Sequence, residues 1–271
     1  MSAPRLDRLS QTRAFLLDLD GTIFLGERLL PGAAEFFCYL DERGLQYLIL
    51  SNNSSRTRLE YAQKLRRLGL DLPEDQFLIS GEATALYLKK RHPGARLYVV
   101  GTPALEEEFA RQGFTLTDDS PDFAVLGFDT TLTYAKLRRL CELLAGGTPY
   151  IATHPDVNCP TESGFMPDIG SVIALVAAST GRKPDVIVGK PNRPMLEAVQ
   201  AKLGVPVEQM CMVGDRLYTD IALGQTGCAT VLVLSGETRR EDLPAAAWQP
   251  DYIVDNLAGL LNLIHGTRRL G

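Results

Sequence analysis

The sequence predicts an α/β fold built around a parallel sheet, and two observations lead to this prediction. Short apolar runs alternate with longer amphipathic stretches along almost all of the 271 residues. The composition is that of an ordinary globular protein, with 45% hydrophobic and 23% charged residues. A chain of this length can bury a real core and has room for two domains, or for one domain with a large insertion.

The short apolar runs have the length of buried strands, and the stretches between them have helical periodicity. The predicted strands are residues 14–17, 46–50, 77–79, 97–100, 123–126, 150–152, 186–189, 210–213, 229–234 and 252–254. The predicted helices are residues 31–43, 56–68, 82–91, 103–112, 133–145, 170–180, 193–203, 219–225 and 256–265. Turn residues support several ends, since Pro31 begins one helix and Gly44 follows it. Such alternation forms βαβ units and therefore a parallel sheet.

Polar motifs at the ends of predicted strands indicate how the chain is divided. Two of these motifs lie in the first quarter of the chain and two lie beyond residue 185, with further α/β pattern between them. A patterned segment of that length is an inserted domain rather than a loop. We therefore predict a Rossmann-like parallel-sheet core at residues 1–81 and 187–271, and an inserted α/β cap domain at residues 82–186.

Charge and cysteine content exclude several classes of protein. The chain has 33 acidic and 28 basic residues and no run rich in lysine and arginine, so we expect no nucleic acid partner. Its five cysteines are widely spaced and never form a C-x-x-C pair, which predicts reduced thiols. The N-terminus is polar and the longest apolar run is VIALVAA at residues 172–178, so we expect neither a signal peptide nor a membrane partner. These observations predict a cytoplasmic protein.

The first polar motif, DLDGT, follows the first predicted strand. Asp18 and Asp20 are two residues apart, so both can face one site while Leu19 packs into the core. Adjacent carboxylates repel each other unless a cation or a shared proton offsets their charge, and Mg2+ takes oxygen ligands. Gly21 permits close approach of a ligand, and Thr22 adds a hydroxyl. The spacing does not fit an EF-hand loop, whereas two Asp residues that cap a turn stay an alternative.

The second and third motifs offer groups that bind anions. Ser51, Asn52 and Asn53 present a hydroxyl, amides and backbone N–H groups just ahead of a predicted helix. That arrangement favours phosphate, although ordinary helix capping uses the same residue types. Lys190 ends an apolar run, where its ammonium can neutralise a phosphate or a carboxylate, or extend into solvent.

The fourth motif adds two more carboxylates. Asp215 ends a predicted strand directly after Gly214, and Asp220 follows five residues on, either as metal ligands or as part of an exposed loop. Ligands of open parallel sheets bind at the carboxyl ends of the strands, where all four motifs lie. Together the motifs predict a metal-assisted phosphoryl site. Spacing alone does not distinguish which of Asp18 and Asp20 attacks.

These four motifs resemble those of the haloacid dehalogenase (HAD) superfamily. The most specific stretches are DLDGTI, SNNSSRT, GKPN and GDRLYTDI. Because the insertion lies between the second and third motifs, the chain resembles the subgroup with a large α/β cap, the NagD-like or p-nitrophenyl phosphatase-like proteins. The resemblance covers nearly the whole chain. It implies a Mg2+-dependent phosphatase that hydrolyses a small phosphorylated metabolite, such as a sugar phosphate, a nucleotide or phosphoglycolate.

The resemblance also implies a role for each matching residue. Asp18 would be the nucleophile that forms an aspartyl-phosphate, and Asp20 would donate a proton to the leaving oxygen and later take one from water. The implied metal ligands are Asp18, Asp20 through its backbone carbonyl, Asp215 and, as a supporting carboxylate, Asp220. The implied phosphate-binding residues are Gly21, Thr22, Ser51, Asn52, Asn53 and Lys190. Lys190 would also orient Asp18.

The inserted domain should decide the substrate, because it can close over the strand ends and exclude water. Its expected contact loops lie in THPDVNCPTESGFMPDIG, residues 153–170, between a predicted strand and a predicted helix. Relatives more often have Asn at the position of His154 and Gly at the position of Asp168. His154, Asp156 and Asp168 are therefore candidate specificity residues, with an ordinary loop residue as the alternative for His154. Similar proteins form dimers through the cap, so a homodimer is expected.

Other functions stay open from the sequence alone. A phosphotransferase or phosphomutase would share Asp18 and Asp20 but pass the phosphoryl group to another acceptor. A dehalogenase is disfavoured because attack at carbon needs no acid at position 20. A non-catalytic phospho-receiver or binding module would use the acidic site as a switch. A dinucleotide-binding protein is excluded by pattern, since the 24 glycines include no G-x-G and no Walker A motif.

Overall fold

The computed structural model describes residues 7–161 and 164–268, which form two compact units. Of the described residues, unit 1 comprises 7–50, 62–77 and 199–268. Unit 2 comprises 51–61, 78–161 and 164–198. Parallel sheets flanked by helices confirm the predicted Rossmann-like α/β class. The domain boundaries at residues 81 and 187 stay a prediction.

The elements agree with most of the predicted order. The strands are β1 (Ala14–Leu17), β2 (Phe24–Leu25), β3 (Arg28–Leu29), β4 (Gln46–Ser51), β5 (Phe77–Ile79), β6 (Arg96–Val100), β7 (Thr115–Leu116), β8 (Phe123–Leu126), β9 (Tyr150–Ala152), β10 (Asn158–Thr161), β11 (Gly164–Pro167), β12 (Val186–Ile187), β13 (Met210–Gly214), β14 (Ala229–Val233) and β15 (Tyr252–Val254). The α-helices are α1 (Asp7–Ser10), α2 (Ala33–Glu42), α3 (Arg58–Arg67), α4 (Ser80–Arg91), α5 (Pro103–Arg111), α6 (Tyr134–Ala145), α7 (Ile169–Thr180), α8 (Arg193–Leu203) and α9 (Leu257–Arg268).

A six-stranded sheet has the order β15-β14-β13-β1-β4-β5. β1 pairs in parallel with β13 on one side and with β4 on the other, with Leu17 opposite Val213 and Ile49. All four residues of β1 are buried, which explains why this strand is a continuous apolar run. Because β1 is central and parallel to both neighbours, the residues that follow β1 and β13 lie at the same edge of the sheet.

Helix α2 packs its apolar face against this sheet. Phe36, Phe37 and Leu40 are buried, and the ring of Phe36 meets that of Phe15 edge-on at a centroid distance of 5.3 Å. Offset or edge-on ring pairs of this kind add to the stabilisation from burial alone. The spacing of these residues by three and four positions is the pattern that predicts the helix from the sequence.

Unit 2 contains a second parallel sheet, with the order β12-β9-β8-β6-β7. Its buried core lies between this sheet and helices α6 and α7, and includes Val100, Ala124, Leu126, Phe128, Leu140, Leu144, Tyr150, Ala152, Ile169 and Val176. The polypeptide of unit 2 is therefore an α/β structure in its own right, as the pattern predicts.

Two predicted segments differ from the structure. Residues 153–170, predicted as a loop, contain the antiparallel hairpin of β10 and β11. Pro160 and Pro167 obscure the strand pattern, because proline is depleted in strands. Residues 162 and 163 of this segment lie outside the described residues. The helix predicted at 219–225 is a 3-10 helix at Ile221–Thr226. Gly224 within it has weak helix propensity, and Gly227, which follows it, has a φ of 108° that ends the helix.

Within residues 7–161 and 164–268, no helix has both the length and the apolar character needed to cross a membrane.

The packing between the start of α2 and the start of α9 generates a stability prediction. Gly32 has a φ of 84°, and a side chain there would collide with the backbone of Ala258. We expect Gly32→Ala to lower the free energy of unfolding by about 2–5 kcal/mol, from left-handed backbone strain plus overpacking. The control is Gly44→Ala, at a φ of 61° with open space around it, which should cost only about 1–2 kcal/mol. Urea unfolding measures both, and equal losses would contradict the proposed collision.

Candidate active site

Three carboxylates of unit 1 meet beyond the carboxyl ends of two neighbouring strands. Asp18 follows β1, and Asp215 follows β13, its parallel partner. Asp220 precedes the 3-10 helix at Ile221–Thr226. One carboxylate oxygen from each lies within 4.8 Å of the other two. Asp215 and Asp220 are only 2% and 0% exposed, whereas Asp18 is half-buried. The structure thus brings together three of the four residues predicted as metal ligands.

Close packing and backbone donors hold Asp215 in place. Its Oδ2 accepts a hydrogen bond from the backbone N–H of Glu237 at 2.6 Å. Gly21 and Gly236 both approach this carboxylate so closely that a side chain on either would collide with it. Gly21 also has a φ of 84°, a conformation that favours glycine. These two glycines therefore make the space in which the carboxylate of Asp215 lies.

Asp220 is held in a similar way. Its Oδ2 accepts a hydrogen bond from the backbone N–H of Arg216 at 3.1 Å. A side chain at Gly214, the last residue of β13, would collide with the carboxylate of Asp220. The adjacent Gly214-Asp215 pair thus has two functions, because the glycine admits one carboxylate and the aspartate supplies another.

Burial and charge repulsion both act on Asp215. The pKa of its carboxyl lies well above the usual range, mainly because the group is buried. The negative charges of Asp18 and Asp220 raise this pKa further. The charge of Arg216 and the N–H of Glu237 oppose this shift only in part. A bound cation would stabilise all three carboxylates in their charged form.

The donor set fits a hard divalent cation. Such ions take oxygen ligands, and carboxylates are their usual protein ligands. Among the described residues, Oδ1 of Asp215 is buried and accepts no hydrogen bond. A buried carboxylate oxygen without a donor is costly unless something else satisfies it. The acidic group of Asp18, Asp215 and Asp220 can therefore hold a metal ion.

The remaining residues of the DLDGT motif differ in burial and in their hydrogen bonds. The carboxylate of Asp20 is not part of the three-oxygen cluster found among the described residues, and the role that the resemblance implies for its backbone carbonyl stays a prediction. Leu19 is buried while Asp18 and Asp20 are half-buried, as their alternation predicts. Thr22 is fully buried, and its hydroxyl has no hydrogen-bond partner among the described residues.

Polar residues of unit 2 form a second group, which is buried at Ser51 and partly buried at Asn53 and Ser55. Ser51 ends β4, and its Oγ accepts a hydrogen bond from the backbone N–H of Asn53 at 3.2 Å. The side-chain oxygen of Asn53 accepts from the backbone N–H and the hydroxyl of Ser55 at 2.9 and 2.7 Å. Asn53 thus closes a local turn, which is one of the alternatives that its residue type allows.

Asn52 and Lys190 are joined within the same unit. The backbone N–H of Lys190 donates to Oδ1 of Asn52 at 2.8 Å, and Nδ2 of Asn52 donates to the backbone carbonyl of Lys190 at 3.1 Å. Asn52 also donates to Oδ1 of Asp156 at 2.9 Å. Two motifs separated by 138 positions in the sequence therefore meet through a side-chain amide.

His154 and Asp168, two of the candidate specificity residues, contact each other. Nε2 of His154 lies 3.0 Å from Oδ1 of Asp168, and both residues are buried. The Nδ1 atom lies 3.0 Å from the hydroxyl of Thr153. Because a carboxylate only accepts, the proton of a neutral imidazole is assigned to Nε2. Asp168 also accepts from the backbone N–H of Ile169 and so caps helix α7.

Some residues of these groups are not predicted by the sequence patterns. Gly236 has no chemistry of its own, and a glycine just after strand β14 is the only signal of its close approach to Asp215. Ser80 is completely buried at the start of α4, where its hydroxyl donates to the backbone carbonyl of Asn52. The sequence offers no signal for that partner.

Comparisons with known proteins show the family to which the chain belongs. Residues 15–115 match a family model described as haloacid dehalogenase-like hydrolase, and residues 187–260 match one described as HAD-hydrolase-like. A crystal structure of a 4-nitrophenylphosphatase from Thermotoga maritima has 47% identity, covers 94% of this chain and 98% of its own, and has a TM-score of 0.91. The chain belongs to the haloacid dehalogenase-like hydrolases. The predicted NagD-like phosphatase subgroup and enzyme class are confirmed by these similarities.

Curated relatives have phosphatase names that differ in substrate. A dihydroxyacetone phosphatase from Corynebacterium glutamicum is 34% identical over 91% of this chain and 90% of its own length. A 5′-nucleotidase from Bacillus subtilis is 35% identical over 90% of this chain and 96% of its own. A structure of a glycerol phosphate phosphatase from Mycobacterium tuberculosis is a complex with calcium. That structure is 31% identical, covers 93% of this chain and 76% of its own, and has a TM-score of 0.84.

The acidic group generates a prediction about metal binding. We expect excess Mg2+ to raise the melting temperature of the protein. At a Mg2+ concentration 100 times the Kd, binding should add about 2.7 kcal/mol to the free energy of unfolding. Asp215→Asn should lose most of this rise, because it removes a charged ligand. The control is Asp255→Asn, an exposed carboxylate whose pair with Arg240 contributes little. Differential scanning calorimetry with and without Mg2+ measures both, and an unchanged rise in Asp215→Asn would exclude it as a ligand.

Proposed function

We propose that the protein is a Mg2+-dependent phosphomonoester phosphatase that acts through an aspartyl-phosphate intermediate. The observation that supports this most is the acidic group, in which the half-buried Asp18 lies beside the buried Asp215 and Asp220. Only Asp18 of the three is partly accessible, so it is the carboxylate that a substrate can reach. The phosphatase names of the relatives support the same reaction class.

In the first step, a carboxylate oxygen of Asp18 attacks the phosphorus of the ester. A bond forms between that oxygen and phosphorus, and the bond between phosphorus and the alcohol oxygen breaks. Asp20, in its protonated form, donates its proton to the leaving oxygen, which departs as a neutral alcohol. The product of this step is a phosphorylated Asp18 and an ionised Asp20.

In the second step, water hydrolyses the acyl phosphate. Asp20 takes a proton from the water as the water oxygen attacks phosphorus, and the bond to Asp18 breaks. Inorganic phosphate leaves, Asp18 regains its carboxylate, and Asp20 is again protonated. One residue therefore serves as acid in the first step and as base in the second.

The other motif residues bind the metal and the phosphoryl group. Asp18, Asp215 and the backbone carbonyl of Asp20 would hold Mg2+, with Asp220 as a supporting carboxylate. When bound, Mg2+ supplies positive charge that offsets the negative charge on the transferring group. The proposed phosphate-binding residues are Gly21, Thr22, Ser51, Asn52, Asn53 and Lys190. Among the predicted side chains of this set, Lys190 contributes the cation.

The substrate is a small phosphorylated metabolite. The relatives' names range from dihydroxyacetone phosphatase to 5′-nucleotidase, so the proposal extends only to this class of substrate. His154, Asp156 and Asp168 are all buried, with at most 3% exposed. We therefore propose that these three residues influence specificity indirectly, through their hydrogen bonds to neighbouring residues, rather than by touching the substrate.

The two roles in the DLD motif are tested with matched variants. Asp18→Asn should lower kcat for 4-nitrophenyl phosphate by a factor of at least about 1,000, because an amide is not a competent nucleophile. Asp255→Asn, exposed and outside the site, should keep wild-type turnover. Steady-state kinetics with Mg2+ and circular dichroism of each variant form the measurement. Substantial turnover by a folded Asp18→Asn variant would refute the proposed nucleophile.

Asp20→Asn should show a different dependence on the leaving group. The loss of a general acid costs about 100- to 10,000-fold for an alkyl phosphate, whose alkoxide needs a proton. The loss should be smaller for the first step with 4-nitrophenyl phosphate, because nitrophenolate leaves readily without one. Single-turnover rates with the two esters separate these effects, and equal losses would mean that Asp20 does not protonate the leaving group.

We also propose that two copies associate through unit 2. Helix α7 has no charged residue and contacts β11, and these two elements carry the exposed apolar side chains of Leu175, 49% exposed, and Phe165, 73% exposed. Exposed apolar patches of this kind mark interaction surfaces. We expect wild type to have twice the mass of one chain in light scattering and Leu175→Glu to be monomeric. Leu86→Glu, on the partly exposed face of α4, is the control, and a monomeric wild type would refute the dimer.

A further inference from the structure

The side-chain amide of Asn52 binds both backbone groups of Lys190. Its Oδ1 accepts from the N–H at 2.8 Å, and its Nδ2 donates to the carbonyl at 3.1 Å. A neighbouring β-strand would satisfy the two groups in the same way. Asn52 is 5% exposed and Lys190 is 1% exposed, so no solvent competes for these bonds. The position of the Lys190 backbone therefore depends on the orientation of one amide.

Asp156 reinforces the orientation that the N–H and the carbonyl of Lys190 already favour. An asparagine amide has two N–H donors on its nitrogen, and the second one donates to Oδ1 of Asp156 at 2.9 Å. A carboxylate only accepts hydrogen bonds, so the nitrogen of the amide must face Asp156. A flipped amide would place its oxygen against both Asp156 and the carbonyl of Lys190. The hydrogen bond to Asp156 thus adds to the preference for the observed orientation over its alternative.

The surrounding backbone is built to bring these groups together. A Cβ atom at Gly189 would lie 2.7 Å from Oδ1 of Asn52 and 2.7 Å from Cβ of His154. The backbone carbonyl of Asp156 accepts from the N–H of Gly170 at 2.7 Å, close to the capped start of α7. Gly189 and Gly170, which have no side chain, therefore allow the close approach of the three segments that contain Asn52, Asp156 and Lys190.

We propose that Asp156 is a positioning residue that acts on Lys190 through the side chain of Asn52. Asn52 then contributes to phosphoryl binding by fixing Lys190, not by contacting phosphate with its amide. Asp156, in turn, is not a substrate contact. This inference rests on the proposed function, in which Lys190 binds the transferring phosphoryl group.

The kinetic test uses a cycle of variants with 4-nitrophenyl phosphate. We expect Asp156→Ala and Asn52→Ala each to lower kcat/KM by about 10- to 100-fold, and to weaken inhibition by inorganic phosphate in parallel. Asp156→Asn should recover most of the loss, because its amide oxygen can still accept from Asn52. In a Lys190→Ala background, Asp156→Ala should cause no further loss. An equal loss in that background, or no recovery by Asp156→Asn, would overturn the proposal.

Asp129→Ala is the matched control. Asp129 is also in unit 2, its side chain is 2% exposed, and it pairs with Lys136 at 2.7 Å. This variant removes a buried carboxylate outside the contacts of Asn52, so it reports the general cost of such a loss. We expect Asp129→Ala to leave phosphate inhibition at the wild-type value. The same weakening of phosphate inhibition in Asp129→Ala would make the effect of Asp156 a general one and overturn the proposal.

A second measurement does not depend on catalysis. Hydrogen exchange of the Lys190 backbone amide, followed by NMR, should accelerate about 10- to 100-fold in Asp156→Ala and Asn52→Ala but not in Asp129→Ala. Unchanged exchange in Asp156→Ala overturns the positioning role whatever the activity. If exchange accelerates but Lys190→Ala keeps full turnover, the positioning role stands and the proposed function of Lys190 fails.

Discussion

Mutual repulsion among Asp18, Asp215 and Asp220 is the constraint on which the acidic site depends. Three carboxylates with oxygens within 4.8 Å of one another, two of them buried, are unfavourable unless the fold forces them together. The parallel pairing of β1 with β13 imposes this proximity, because it fixes the positions from which Asp18 and Asp215 project. Hydrogen bonds from backbone N–H groups hold Asp215 and Asp220, and a metal ion would complete the balance of charge.

Unit 2 also has acidic residues that lie close together in space, but their carboxylates accept hydrogen bonds from neighbouring side chains. Atoms of His154, Asp156 and Asp168 also lie within 4.8 Å of one another. Here an imidazole lies against Asp168 and the amide of Asn52 donates to Asp156, so each carboxylate has a protein partner. Two acidic groups with similar distances thus differ in chemistry. Among the residues that the structure describes, the first group has a buried oxygen, Oδ1 of Asp215, that accepts no hydrogen bond, whereas each carboxylate of the second accepts at least one.

Much of the fold follows from the sequence because strands buried on both faces are continuous apolar runs. The bounds of β1, β5 and β9 agree with the apolar pattern, and the four polar motifs follow their predicted strands. The hairpin of β10 and β11 is missed because its prolines and glycine are typical of loops. The contacts of Asn52 are missed for another reason. Its partners are 104 and 138 positions away, and the residue type alone permits capping, phosphate binding or a clamp on another backbone.

Gly236 illustrates how motif searches and structure differ in what they recognise. This residue has no charge, lies outside all four motifs, and is separated from Asp215 by 21 positions, yet its missing side chain makes room for that carboxylate. A natural variant with a larger residue there would retain every signature used to recognise the family. Its acidic site would nevertheless be displaced. Counting intact signatures in genomes would therefore overestimate how many such chains keep a working metal site.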